Sequence, residues 1–176
     1  QYVGMGKDLY DNFQCSKEVF DKADKALNFK ISELCFEGKT EELNLTENTQ
    51  PAILTTSIAA MKALKEEKGI VPDVAAGLSL GEYSAHVCSR TFSFEDAVKL
   101  VRKRGRYMQE AVPAGIGTMA AIIGLDSETV NKICSEESKS GVVEVANYNC
   151  PGQIVIAGEV KAVENACAKL KESGAR

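Results

Sequence analysis

The chain has 176 residues, 44% of them hydrophobic, 6% aromatic and none tryptophan, so Val, Ile, Leu and Ala must fill a core of its own. Its formal net charge of −4 argues against a general nucleic-acid binder, which is normally basic. No apolar run approaches membrane-spanning length and no signal-peptide pattern opens the chain, so it reads as soluble.

In chain order, Gln1 to Gly6 carries no cap or turn of its own and reads as the tail of something longer. In SKEVFDKADKAL, Val19, Phe20, Ala23 and Leu27 recur at helical spacing, with Ser16 placed to cap the helix. TQPAILTTSIAAMKALKEEKG predicts a longer helix. Its stripe is Leu54, Ile58 and Met61, Pro51 falls in the first turn, and Gly69 ends it. VPDVAAGLS then reads as a short apolar strand and LGEYSAHVCSR as a helix. A third long helix starts at SFED, where Ser93 and Asp96 resemble a capping box, and runs through Met108.

After VPAGIG the texture changes. TMAAIIGL predicts a strand and DSETVNKICSEES a helix. VVEVANYN and QIVIAGE predict a hairpin turned at Cys150 to Gln153, and KAVENACAKLKESG a final helix stopped by Gly174. The order β-α-β-β-α is one strand short of a ferredoxin-like unit, and that strand is expected to begin at Arg176. Six cysteines (Cys15, Cys35, Cys88, Cys134, Cys150 and Cys167) are scattered without a C-x-x-C pair. Reduced, buried thiols in a cytosolic protein are expected, rather than a disulfide framework or a zinc site.

Ser79 centres a Gly-x-Ser-x-Gly pattern between the expected strand and helix. That context lets Gly77 and Gly81 turn the backbone sharply and exposes the serine oxygen. It also aims the free N–H groups of the following helix at that oxygen, and the Leu80 N–H is placed to donate to a developing oxyanion. A structural Gly-rich turn is the other reading. The one histidine, His86, lies seven residues on, about 10 Å along a helix, whereas a general base must lie within roughly 3 Å of the proton it removes. Either Ser79 is not catalytic, or its base lies outside the chain.

Arg104 falls on the apolar line through Ala97, Val101 and Met108, while Lys99, Arg102, Lys103 and Arg106 lie off it and can be solvated. An inward guanidinium must snorkel outward or meet a carboxylate. That carboxylate belongs either to an anionic substrate or to a structural ion pair. The four solvated cations could also steer an anionic partner.

Together these features resemble the malonyl-CoA:acyl-carrier-protein transacylases. QYVGMGKDLYDNF, ENTQPAILTTS, GLSLGEYSAHV, VRKRGRYMQEAVPAGIGTMAAIIGL and ANYNCPGQIVIAGE follow that family's order. The resemblance implies an α/β fold. Residues 1–114 would be part of an α/β-hydrolase-like large subdomain, and residues 115–176 part of a ferredoxin-like small one. It implies Ser79 as the nucleophile acylated by malonyl-CoA and Leu80 as an oxyanion-hole residue. Arg104 would hold the malonyl carboxylate, with Met108 lining the pocket beside it. The acyl group would pass to the phosphopantetheine thiol of acyl carrier protein, in the cytoplasm, with no cofactor, metal, membrane or nucleic acid involved. It further implies a catalytic histidine beyond Arg176, and a strand and Pro-Gly-Gln-Gly loop before Gln1. Leu78 stands where many members carry a histidine, and His86 where an apolar residue is commoner. An acyltransferase domain of a polyketide or multifunctional synthase, or a non-catalytic carrier-protein-binding fragment, are the alternatives.

Overall fold

The computed structural model describes residues 1–112 and 115–176. The chain divides into two compact units, Gln1–Ala111 and Val112–Arg176. The boundary expected between residues 114 and 115 borders residues 113–114, which lie outside the described residues.

The described part of the first unit is built of helices: α1 (Lys7–Asn12), α2 (Gln14–Leu27), α3 (Ile31–Glu37), α4 (Thr40–Leu43), α5 (Thr46–Lys68), α6 (Leu80–Cys88) and α7 (Phe94–Ala111). α2 buries Val19, Phe20 and Ala23 at the expected spacing. Ser16 does not cap it: Phe13 holds the cap position, and the buried Ser16 hydroxyl donates instead to the Ala59 carbonyl at 2.9 Å, tying α2 to α5. α5 buries Leu54 and Ile58, and Gly69 closes it at φ 65°. The helix starts at Thr46, so Pro51 sits past the first turn, where its missing N–H leaves one intrahelical bond unmade. At the start of α7 Ser93 and Asp96 meet as expected, though through the serine hydroxyl in both directions. The Ser93 hydroxyl accepts from the Asp96 N–H at 3.1 Å and donates to the Asp96 carboxylate at 2.7 Å.

The face of α7 that enters the core runs through Ala97, Val98, Val101 and Gly105. Gly105 is required there, because a Cβ would lie 2.5 Å from the Thr46 carbonyl oxygen. Its absence lets α7 press against the first turn of α5. Arg104 and Met108 therefore flank the buried line rather than lying on it, Arg104 half-buried and Met108 exposed. The expected strand at 71–79 does not form. A strand needs a ladder partner, and the regular elements described in this unit are all helical, so the segment is irregular and exposed.

The second unit follows the order read from the sequence: β1 (Gly117–Ile123), α8 (Ser127–Glu137), β2 (Val143–Cys150), β3 (Gln153–Glu159) and α9 (Val160–Glu172). The chain is thus mixed α/β. The antiparallel sheet has the order β1-β3-β2. Ile122, Val143, Ile154 and Ile156 from the sheet form one core with Val130, Ile133, Ala166 and Leu170 from the two helices. The β2–β3 register ends at Cys150 opposite Gln153, so Pro151 and Gly152 make the turn. At the far side of β1, Ile123 and Arg176 exchange both backbone hydrogen bonds at 2.9 Å, the pattern of an antiparallel pair. Among the described residues no helix is long and apolar enough to cross a membrane.

Candidate active site

Ser79 sits at the N-cap of α6 with φ 53° and ψ −107°, a conformation that a non-glycine residue holds only when its surroundings impose it. What imposes it is a backbone crossing. A Cβ on Gly77 would stand 2.0 Å from the Gly81 carbonyl carbon and 2.5 Å from the Glu82 nitrogen, so only glycine fits. Gly81 is different. A Cβ there meets nothing within 4 Å among the described residues, so the tight turn rests on Gly77 alone. The Gly81 N–H closes the turn on the Leu78 carbonyl at 2.9 Å. Leu80 opens α6, so its N–H has no acceptor one helical turn back and stands in the positive end of the helix dipole.

Arg104 reaches this turn from α7. Its Nη2 donates to Ser79 Oγ at 2.9 Å, and its Nη1 donates to Gln50 Oε1 at 2.6 Å. Its guanidinium carbon lies 5.7 Å from the centroid of the Tyr83 ring. Among the described residues no carboxylate lies within ion-pair distance of it, so its protein partners are an amide, a hydroxyl and an aromatic face. Because the guanidinium only donates, Ser79 Oγ accepts and keeps its own proton available to a base.

Met108 enters the same group through sulfur, as Gln50 Nε2 donates to Met108 Sδ at 3.4 Å. Met108 and Arg104 line an open cleft of about 460 Å³ with Leu100, Lys103, Tyr107 and Ala111. The residues from the serine motif and the arginine helix are thus brought together, and α5 adds Gln50, which sequence reasoning missed. On α5, Gln50 stands four residues before Leu54 and eight before Ile58, and all three are buried.

His86 takes no part in this group. Its ring lies 4.8 Å from that of Phe92, and its Nε2 is 3.9 Å from Glu82 Oε1. Of the four cations expected to be solvated, Arg102 instead stacks over Phe29 at 4.2 Å. Lys99, Arg102, Lys103 and Arg106 line a second open groove of about 390 Å³ together with Ala26, Leu27 and Glu47. All six cysteines are free thiols, and they are not uniformly buried. Cys35 and Cys134 are buried, whereas Cys150 is exposed beside the hairpin turn. Burial pushes the Cys35 thiol up to about 12.

The acyl transferase domain family matches residues 1–176. The malonyl CoA-acyl carrier protein transacylase of Bacillus subtilis is 54% identical over 177 residues, covering 100% of this chain and 56% of the relative. The solved structure of the Clostridium perfringens malonyl CoA-acyl carrier protein transacylase superposes with a TM-score of 0.88 at 52% identity, over 100% of this chain and 55% of that one. A malonyl-transacylase solved in complex with its type II polyketide acyl-carrier protein superposes at 0.90 with 44% identity, over 100% and 57% of the two chains. The chain therefore spans little more than half the length of these relatives. With a match along its whole length, the chain belongs to the acyl transferase domain family.

Proposed function

We propose that this chain carries the nucleophile and the acyl-carboxylate site of a malonyl-CoA:acyl-carrier-protein transacylase. The observation that carries the reading is the 2.9 Å hydrogen bond from Arg104 Nη2 to Ser79 Oγ, made by an arginine with no carboxylate partner among the described residues. A cation held beside a nucleophilic oxygen without a protein counter-charge suits a substrate that brings its own carboxylate.

In this reading Ser79 Oγ attacks the thioester carbonyl of malonyl-CoA and gives its proton to a base. The base comes from outside these 176 residues, since His86 is the only histidine. The Leu80 N–H donates to the oxyanion. As the C–S bond breaks, the coenzyme A thiolate leaves with a proton, and a malonyl ester remains on Ser79. Arg104 shifts from Ser79 Oγ to the malonyl carboxylate, and Met108 lines the site beside it. The phosphopantetheine thiol of acyl carrier protein then attacks the ester, and Ser79 regains its proton. No cofactor or metal enters these steps.

The first unit is part of an α/β-hydrolase-like subdomain with Ser79 at its elbow. The second is part of a ferredoxin-like one, supported by the strand order β1-β3-β2 and by the Arg176–Ile123 pair on the outer edge of β1. Free thiols suit the cytoplasm. The polyketide carrier protein bound by the solved relative keeps a synthase role as the second reading. The experiment is mass spectrometry of the full-length protein after incubation with malonyl-CoA. A malonyl adduct on Ser79, discharged by a holo carrier protein, is expected. Label on a cysteine, or none, sinks the proposal, and the preferred carrier protein separates fatty-acid from polyketide use.

A further inference from the structure

Gln50 is 5% exposed and sits on α5, with both ends of its carboxamide engaged across helices. Its Oε1 accepts from Arg104 Nη1 at 2.6 Å, and its Nε2 donates to Met108 Sδ at 3.4 Å. The orientation is fixed by chemistry, because turning the amide over would set N–H against N–H at Arg104. Gly105 supplies the close approach of α7 to α5 that makes the contact possible. Of the two guanidinium arms, Gln50 holds one while the other points at Ser79 Oγ.

We infer that Gln50 is the positioning residue of this site: it aims Arg104 at the acyl group on Ser79 and, being neutral, leaves the arginine's charge unspent for a substrate carboxylate. The inference rests on the proposed malonyl transfer. A carboxylate at position 50 would fit the same space, but it would pair with the guanidinium and cancel the charge that the substrate needs. An apolar residue would leave the guanidinium without its guide. Charge and aim are separate requirements, and an amide is the side chain that meets both.

The test uses the full-length enzyme and compares kcat/KM for malonyl-CoA with that for acetyl-CoA, which has no carboxylate, in wild type, Gln50→Glu and Gln50→Leu. Both variants should lower the malonyl-to-acetyl ratio by roughly tenfold to hundredfold, the range for a hydrogen bond to a charged group. Gln50→Glu should do so without a lower melting temperature, since the introduced carboxylate gains an ion pair with Arg104. If the leucine variant fails to fold, the isosteric glutamate variant carries the comparison. In an Arg104→Ala background Gln50→Glu should not change the ratio further, because it acts through the arginine. A well-folded Gln50→Glu enzyme with the wild-type ratio overturns the inference alone. A further fall in the Arg104→Ala background does the same. A wild type that transfers no malonyl overturns the functional proposal, and this inference with it.

Discussion

At the scale of single residues, two positions were legible and one was not. Ser79 stood out because glycines flank it at fixed spacing, and Arg104 because a charge stood close to an apolar period, although the structure sets it beside the buried line of α7 and not on it. Gln50 was hidden because a glutamine at the front of a helix reads as a solvated residue, and its burial depends on α7 arriving from 54 positions away. Arg104→Ala should lower the ratio of malonyl to acetyl kcat/KM by about 30-fold or more, the lower end for one partner of a desolvated charge pair, since Arg104 is only half-buried. An equal fall for both substrates with a lower melting temperature would mark it as structural. Gly77→Ala should destabilise the fold by about 1–3 kcal/mol through its clash with the Gly81 backbone, whereas Gly81→Ala should change the melting temperature little. The thiols give a third check. Iodoacetamide near pH 8 should modify exposed Cys150 first and leave Cys35, whose thiol is pushed up to about 12, until the chain unfolds.

At the scale of elements, α2, α5, α6 and α7 were legible because their signals are local, whereas the short α1, α3 and α4 were not expected. The Ser93–Asp96 pair and the closing Gly69 fell where the pattern placed them. The strand at 71–79 was misread for the opposite reason: a strand is defined by a partner, and an apolar run says nothing of where that partner is. The α8 cap offers a test by pH. Asp126 accepts from the Thr129 N–H at 2.8 Å, and that bond holds its carboxyl below the ordinary value. Its folded value is lowered, so the stability it adds is present above the unfolded pKa, near 3.9, and is lost as pH falls through the folded one. Asp126→Ala should therefore melt below wild type at neutral pH, and the two should converge in acid. On α7, reversing charge at Lys103 and Arg106 removes half the cations of the basic groove. Under the proposed function, transfer to an acidic carrier protein should slow at low ionic strength and recover towards wild type in high salt. Equal rates at both ionic strengths would end that role for the groove.

At the scale of the whole molecule, each unit has its own core, one around Phe20, Leu54 and Val101, the other around Ile156, Val163 and Leu170. Leu170→Ala should cost about 2–5 kcal/mol of the second unit's stability, read as lost hydrogen-exchange protection in the amides of α9 and the sheet. The order of elements in this unit was legible because each strand pairs with a neighbour inside it. In the first unit the pattern placed α2, α5, α6 and α7 but not the short α1, α3 and α4, and the strand expected at 71–79 finds no ladder partner among the described residues. The left-handed twist at Ser79 has a consequence for how such a protein responds to selection. Glycine adopts φ 53° freely and serine does not, so Ser79→Gly should raise the melting temperature while ending acyl transfer. A population screened for heat resistance alone would drift towards glycine at this position, and one screened for turnover would return to serine. Under the proposed function, thermal robustness and chemistry pull this backbone position towards different residues, glycine for the one and serine for the other.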